Sequence, residues 1–199
     1  MKQRVFGTVA AFLAAVLLLT VPCSANSARS AVVLDCVSGR LLLDKKGSEK
    51  SLIASTTKIM TALLVCERCN VLDQMVIPKQ AVGIEGSSMY LKEGERLTLQ
   101  ELLYGLMLSS GNDAAVALAL YCCGSIQEFA NLMNDKARSL GMTGSHFENP
   151  NGLDSPNHYS TARDLAILAS YAMENPIFQK TVSTKTVTVG NRVLRNHNK

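Results

Sequence analysis

The sequence has little net charge, no internal repeat and no low-complexity segment, and each absence removes a class of protein. The formal net charge is +4 over 199 residues. That is too mild for the electrostatic footprint of a nucleic-acid-binding protein. The lack of a repeat removes solenoids and repeat arrays. A complete disulfide framework is also missing. Six cysteines are present, but Cys23 falls in an N-terminal leader. The five that remain (Cys36, Cys66, Cys69, Cys122 and Cys123) are an odd number. Cys66 and Cys69 form a Cys-x-x-Cys on an expected helix. Neither a second ligand pair nor a thioredoxin-like setting accompanies it, so the pair reads as small buried hydrophobes. The three histidines, His146, His158 and His197, have no nucleophile elbow beside them. They read as loop supports rather than as half of a Ser–His pair.

What is present begins with the leader. Lys2 and Arg4 precede a mostly apolar run over residues 5–21, followed by Pro22 and the small residues Cys23, Ser24 and Ala25. This is the pattern of a secretory signal peptide over residues 1–25, with cleavage after Ala25 or Ala28. An uncleaved anchor is the competing reading, since the run is near the lower limit for a membrane span. Pro22 argues against a lipoprotein site at Cys23. Export places the chain outside the cytoplasmic membrane, and removing Lys2 and Arg4 lowers the net charge from +4 to +2. Residues 26–199 are long enough for one domain with a real core.

Within that domain, residues 31–35 and 40–44 read as two strands joined through Ser38-Gly39. A helix with Ile59, Met60, Leu63 and Leu64 as its apolar stripe follows over residues 55–68. Residues 72–78 are extended, and residues 83–94 form a loop. Thr98 with Glu101 makes a capping box for a helix over 99–108. Ser109-Ser110-Gly111-Asn112 breaks that helix. A second helix over 113–121 is apolar nearly all round and therefore buried. Helices over 126–140, closed by Gly141, and over 161–174 flank a loop at 146–158. Residues 181–189 and 192–196 read as a hairpin turning at Gly190-Asn191. Strands first, helices in the middle and strands again at the end indicate an α/β domain with a helical insert.

Ser55-Thr56-Thr57-Lys58 carries chemistry. Positions i and i+3 share a helix face, so hydroxyl and amine can meet. A serine hydroxyl needs a base to take its proton, and a lysine whose pKa is lowered by burial can be that base. Alone the signal is weak: roughly one Ser-x-x-Lys is expected by chance in a chain this long. The competing reading is an N-cap serine with a solvated lysine. Ser110-Gly111-Asn112, a polar tripeptide between two buried helices, is either a tight turn or a site. Ser-x-x-Lys and Ser-x-Asn together are two of the three motifs of penicillin-binding proteins and β-lactamases.

The sequence resembles the D-alanyl-D-alanine carboxypeptidases, the low-molecular-mass penicillin-binding proteins of the S11 serine peptidase family. Residues 54–62, Gly86-Ser87-Ser88-Met89-Tyr90-Leu91, residues 97–108, residues 110–115, Phe147-Glu148-Asn149-Pro150 with Gly152-Leu153, and residues 158–162 carry the resemblance in family order. It implies a β-lactamase/transpeptidase-like α/β fold, an antiparallel sheet with flanking helices and a helical subdomain. The family's third motif, Lys-Thr-Gly, does not occur before Lys199. Lys185-Thr186 is followed by Val187 and is no substitute. The sequence therefore looks like a fragment whose sheet is incomplete.

The resemblance implies catalytic roles for Ser55, Lys58 and Ser110 and substrate binding by Asn112. Ser55 would attack the carbonyl between the two alanines of a peptidoglycan pentapeptide. Lys58 would take the serine proton, and Ser110 would pass a proton to the leaving D-alanine. Asn112 would hold the acyl chain and the Lys58 side. No metal or organic cofactor is implied. β-Lactam antibiotics are expected as inhibitors, and peripheral membrane contact would come from a C-terminal segment beyond this sequence. The expected location is the cell wall or the outer face of the cytoplasmic membrane. Two other readings stand beside it. A β-lactamase of the same fold is disfavoured because Glu148 is followed four residues later by Gly152 rather than asparagine, and because Gly111 stands where an aspartate is usual. A non-catalytic wall-binding or penicillin-sensing module follows if the third motif is truly missing.

Overall fold

The computed structural model describes residues 27–197. The expected leader at 1–25, with Cys23, lies outside the described residues. The described chain contains strands β1 (Ala31–Leu34), β2 (Leu41–Lys45), β3 (Gln74–Val76), β4 (Arg96–Thr98), β5 (Thr186–Val189) and β6 (Arg192–Arg195). Its helices are α1 (Lys58–Arg68), α2 (Leu99–Leu108), α3 (Asn112–Cys123), α4 (Ile126–Ser139), α5 (Ala162–Ala172) and α6 (Pro176–Ser183). The strands pair as three separate two-stranded antiparallel sheets, β1–β2, β3–β4 and β5–β6. Helices and small antiparallel sheets are thus mixed, with the helices gathered in the middle of the chain.

Helix α1 is the axis of the molecule. Met60, Ala62, Leu63, Leu64 and Val65 are all essentially inaccessible. A helix apolar on every side must be surrounded, and α1 touches each of the other five helices. Helix α3 is buried in the same way from Asn112 to Ala119. No single helix among the described residues is long and apolar enough to cross a membrane.

The helix starts follow local chemistry. Thr98 accepts from the Glu101 amide while the Glu101 carboxylate accepts from the Thr98 amide, the capping box expected there. Ser125 and Thr161 cap α4 and α5 through the amides of Glu128 and Asp164. Helix α6 corrects the sequence reading. Residues 181–183 belong to its last turn, and the strand begins only at Thr186. The β-branched run favours a strand, but Asn175 accepts from the amides of Ile177 and Phe178, and Pro176 occupies the first helical position. That start signal, with Phe178 and Thr181 buried, outweighs local strand preference.

Two polar anchors fix the pieces around α1. Arg192 on β6 donates both guanidinium nitrogens to Glu95, at 2.6 and 2.8 Å, and also donates to the Tyr90 carbonyl at 2.8 Å. A two-pronged pair of this kind fixes orientation as well as distance. Asp113, at the start of α3 and 1 % exposed, accepts from Ser88 Oγ at 2.6 Å and from the amides of Met89 and Leu91 at 3.0 Å each. One buried carboxylate therefore organises the 86–91 loop. Replacing it (Asp113→Ala) leaves these donors without their acceptor. We expect a loss of at least about 3 kcal/mol in urea unfolding, given roughly 1–3 kcal/mol for each buried unpaired group.

Candidate active site

The site is assembled where α1 begins. A 3-10 turn (Ala54–Thr57) leads into α1 and carries Ser55 exposed at the surface while Lys58 is 2 % exposed. The Lys58 ammonium donates to Ser55 Oγ at 3.0 Å and to the Asn151 carbonyl at 2.7 Å. Ser110 Oγ donates to Ser55 Oγ at 3.0 Å. Ser55, Lys58 and Ser110, from two separate segments, thus share one hydrogen-bond network. Burial brings Lys58 down to about 8, against the opposing pull of the Asp113 carboxylate.

Asn112 lies at the start of α3, where its amide N–H donates to the Ser87 carbonyl at 2.7 Å. Its side-chain amide donates to the Glu85 carbonyl at 2.5 Å. The second acceptor of the Lys58 ammonium is the Asn151 carbonyl. Asn112 lines a cleft of about 600 Å³ together with Ser55, Glu85, Ser87, Gly152 and Asp154. A second cleft of about 570 Å³ opens on the other side of Ser55, walled by Lys58, Leu106, Ser110 and His197.

The backbone is forced at Ser110 and at the residue before Ser55. Ala54 has φ 44 and Ser110 has φ 55, left-handed values that non-glycine residues adopt at a cost of about 1–3 kcal/mol. The 147–158 loop holds this geometry from behind. Thr61 donates to the Pro150 carbonyl at 2.6 Å, Lys58 to that of Asn151, and His158 Nε2 lies 2.8 Å from Thr57 Oγ1. His158 Nδ1 accepts from the Glu148 amide at 3.1 Å. The Nε2 proton is therefore the one present, and Nε2–H donates to Thr57. Burial lowers the His158 pKa, in keeping with a neutral ring. Gly152, at φ 87, brings its backbone against Ala54: a Cβ there would sit 1.9 Å from the Ala54 carbonyl oxygen.

His158, Asn151, Gly152 and Asp113 were not assigned site roles from sequence. Asn151 contributes a backbone carbonyl, which any residue type carries. Asp113 had a legible signal, a carboxylate in the first turn of a buried helix. Glu148 takes part in neither cleft. Its carboxylate accepts from Ser155 and Asn157 within its own loop.

The fold is that of the penicillin-binding, transpeptidase-like proteins. The chain superposes on penicillin binding protein 6B from Escherichia coli with a TM-score of 0.81 at 34 % identity, over 85 % of this chain and 57 % of that one. It superposes equally on the S216A mutant of Streptomyces K15 DD-transpeptidase, with a TM-score of 0.81 at 33 % identity, over 86 % and 74 % of the two chains. The chain belongs to the S11 peptidase family of D-alanyl-D-alanine carboxypeptidases, whose sequence profile matches residues 19–199. It is 38 % identical over 165 residues to the D-alanyl-D-alanine carboxypeptidase DacF of Bacillus subtilis (strain 168), covering 80 % of this chain and 42 % of that protein. It is also 38 % identical over 160 residues to DacC of Escherichia coli (strain K12), covering 75 % and 40 %. The chain spans less than half the length of these curated relatives.

Two tests address the geometry. If neutral Lys58 is the base, acylation of Ser55 by a penicillin should rise roughly tenfold per pH unit below about 8 and level off above it. Rapid-quench rates against pH would read this, and a flat profile through pH 8 would exclude Lys58 as the titrating base. For Gly152→Ala, we expect acylation to fall on the order of 100-fold, because displacing Ala54 moves the adjoining Ser55 hydroxyl. An unchanged rate would show that the turn absorbs the clash elsewhere.

Proposed function

We propose that this chain carries the nucleophile half of a serine-type D-Ala-D-Ala carboxypeptidase site acting on peptidoglycan stem peptides outside the cytoplasmic membrane. The observation that carries the reading is the Ser55–Lys58–Ser110 network, open to a cleft on each side. In this reading neutral Lys58 takes the Ser55 proton as Oγ attacks the carbonyl between the terminal D-alanines. Ser110 then delivers a proton to the departing amine, so the leaving D-alanine lies in the cleft that Ser110 lines. The acyl portion lies in the opposite cleft beside Asn112. The Ser55 backbone N–H, at the turn that opens α1, supplies one donor to the developing oxyanion. Water completes the cycle by hydrolysing the ester at Ser55. β-Lactams would be trapped by the same serine.

The β-lactamase alternative is disfavoured by the wall behind Ser55. Position 152 has no room for the asparagine side chain that would pair with a deacylating glutamate, and the Glu148 carboxylate is engaged within its own loop. For a chain that also carries the Lys-Thr-Gly strand, the expected outcome is release of free D-alanine from a peptide ending in D-Ala-D-Ala and a covalent penicillin adduct seen by intact mass, both abolished in Ser55→Ala; residues 26–199 alone should acylate poorly. An adduct that persists in Ser55→Ala would overturn the assignment of the nucleophile. Saturable peptide binding without any acylation would favour the wall-binding module instead.

A further inference from the structure

The cleft beside Asn112 carries charge of one sign. Two segments wall it, residues 85–87 and residues 151–154, and each brings one carboxylate: Glu85 from the first, Asp154 from the second. Both residues are exposed, and neither carboxylate enters a hydrogen bond or ion pair among the described residues. No lysine, arginine or histidine is among the described residues that line this cleft, and Lys58 and His197 belong to the opposite one. Exposed Leu153 supplies an apolar stretch of the same wall. Both segments are tied to the candidate site. The Asn112 side chain donates to the Glu85 carbonyl at 2.5 Å and its backbone N–H to the Ser87 carbonyl at 2.7 Å, so residues 85–87 hang on Asn112 at both ends. Leu153, just before Asp154, donates its amide to Asn151 Oδ1 at 3.1 Å, and the Asn151 carbonyl in turn holds Lys58. The Glu85 carbonyl can only accept, so Asn112 turns Nδ2 toward it and Oδ1 elsewhere. Asn112 is 5 % exposed, and its Oδ1 receives no donor among the described residues. A buried side chain thus leaves an open acceptor in the cleft wall, suited to a peptide N–H.

We propose that Glu85 and Asp154 select stem peptides in which the residue before the D-Ala-D-Ala dipeptide carries a free side-chain amine. The inference rests on the carboxypeptidase reading, in which the acyl portion occupies this cleft. That residue is the next one along the acyl portion from the attacked carbonyl, and Asn112 anchors the backbone between them. A long amine side chain lays its methylenes along Leu153 and keeps its ammonium in water beside the two carboxylates. An amine that has been acylated, as in a peptide cross-link, has lost the charge these groups recognise. A side chain ending in a carboxylate meets like charge, so the same two residues reject it. The chain therefore acts on stem peptides before the reaction that acylates this amine, not after it.

The test compares two substrates on a chain that also carries the Lys-Thr-Gly strand. One is L-lysine, acetylated at its α-amine, followed by D-Ala-D-Ala; the other is the same peptide with the side-chain amine acetylated as well. The readout is the ratio of kcat/KM for D-alanine release. At low ionic strength the free-amine peptide should be preferred about fivefold, as two exposed ion pairs allow, and the preference should shrink as salt screens it. Glu85→Gln and Asp154→Asn should each lower the ratio, and together bring it close to one. Glu93→Gln, an exposed carboxylate outside the cleft, should leave it unchanged. Because both substrates are read on one protein, a loss of folded enzyme does not imitate a change in the ratio. Equal rates for the two peptides, a preference indifferent to salt, or one that survives the double substitution would overturn the inference and leave the carboxypeptidase reading intact. D-Alanine released from neither peptide would overturn that reading, and the inference with it.

Discussion

The burial of one amine governs the rest of the structure around the site. A lysine ammonium away from water is costly unless its donors are met, and Lys58 meets them with one serine hydroxyl and one backbone carbonyl. Those two partners come from opposite sides: Ser55 from the turn below the helix, Asn151 from a loop nearly a hundred residues later. Satisfying Lys58 therefore fixes the position of the 147–158 loop relative to α1, and Thr57 and Thr61 repeat the attachment one residue before and three after. The same burial that demands partners also makes the amine easier to deprotonate. Structural constraint and chemical readiness arise from one placement.

Helix α1 can hold a polar group at its start because the rest of it is so thoroughly apolar. The five surrounding helices bury Met60 through Val65, so the turn carrying Ser55 rests on a rigid post. Asp113 plays the corresponding part for the second segment. Its carboxylate gathers the 86–91 loop against the start of α3, which sets the Ser87 carbonyl where the Asn112 amide reaches it. Its charge also reaches Lys58, where it offsets part of the effect of burial.

Much of this was legible in the sequence because it is written in local patterns. The Thr98–Glu101 box, the Ser38-Gly39 and Gly190-Asn191 turns and the apolar stripe of α1 each depend on residues a few positions apart. Helix α6 was misread although its signal was also local: the Asn175-Pro176 start was overlooked in favour of the β-branched residues that follow. The site divides along the same line. Ser55 and Lys58 lie within one turn, and Ser110 and Asn112 lie within one tripeptide, so motif spacing brings each pair into view. The partner of Lys58 does not, because a main-chain carbonyl leaves no trace in residue identity. Nor does the role of His158, which depends on two contacts from segments distant in the chain.

The close approach of Gly152 to Ala54 binds two distant positions into a single unit of inheritance. Ala54 sits in a left-handed conformation that disfavours β-branched side chains, and its carbonyl occupies the space where a side chain at 152 would begin. Substitutions at the two should therefore be non-additive, and a lineage that placed a side chain at 152 would have to rebuild the turn before Ser55 along with it. The smallness of two residues, rather than any reactive group they bear, limits how far this corner of the molecule can diverge.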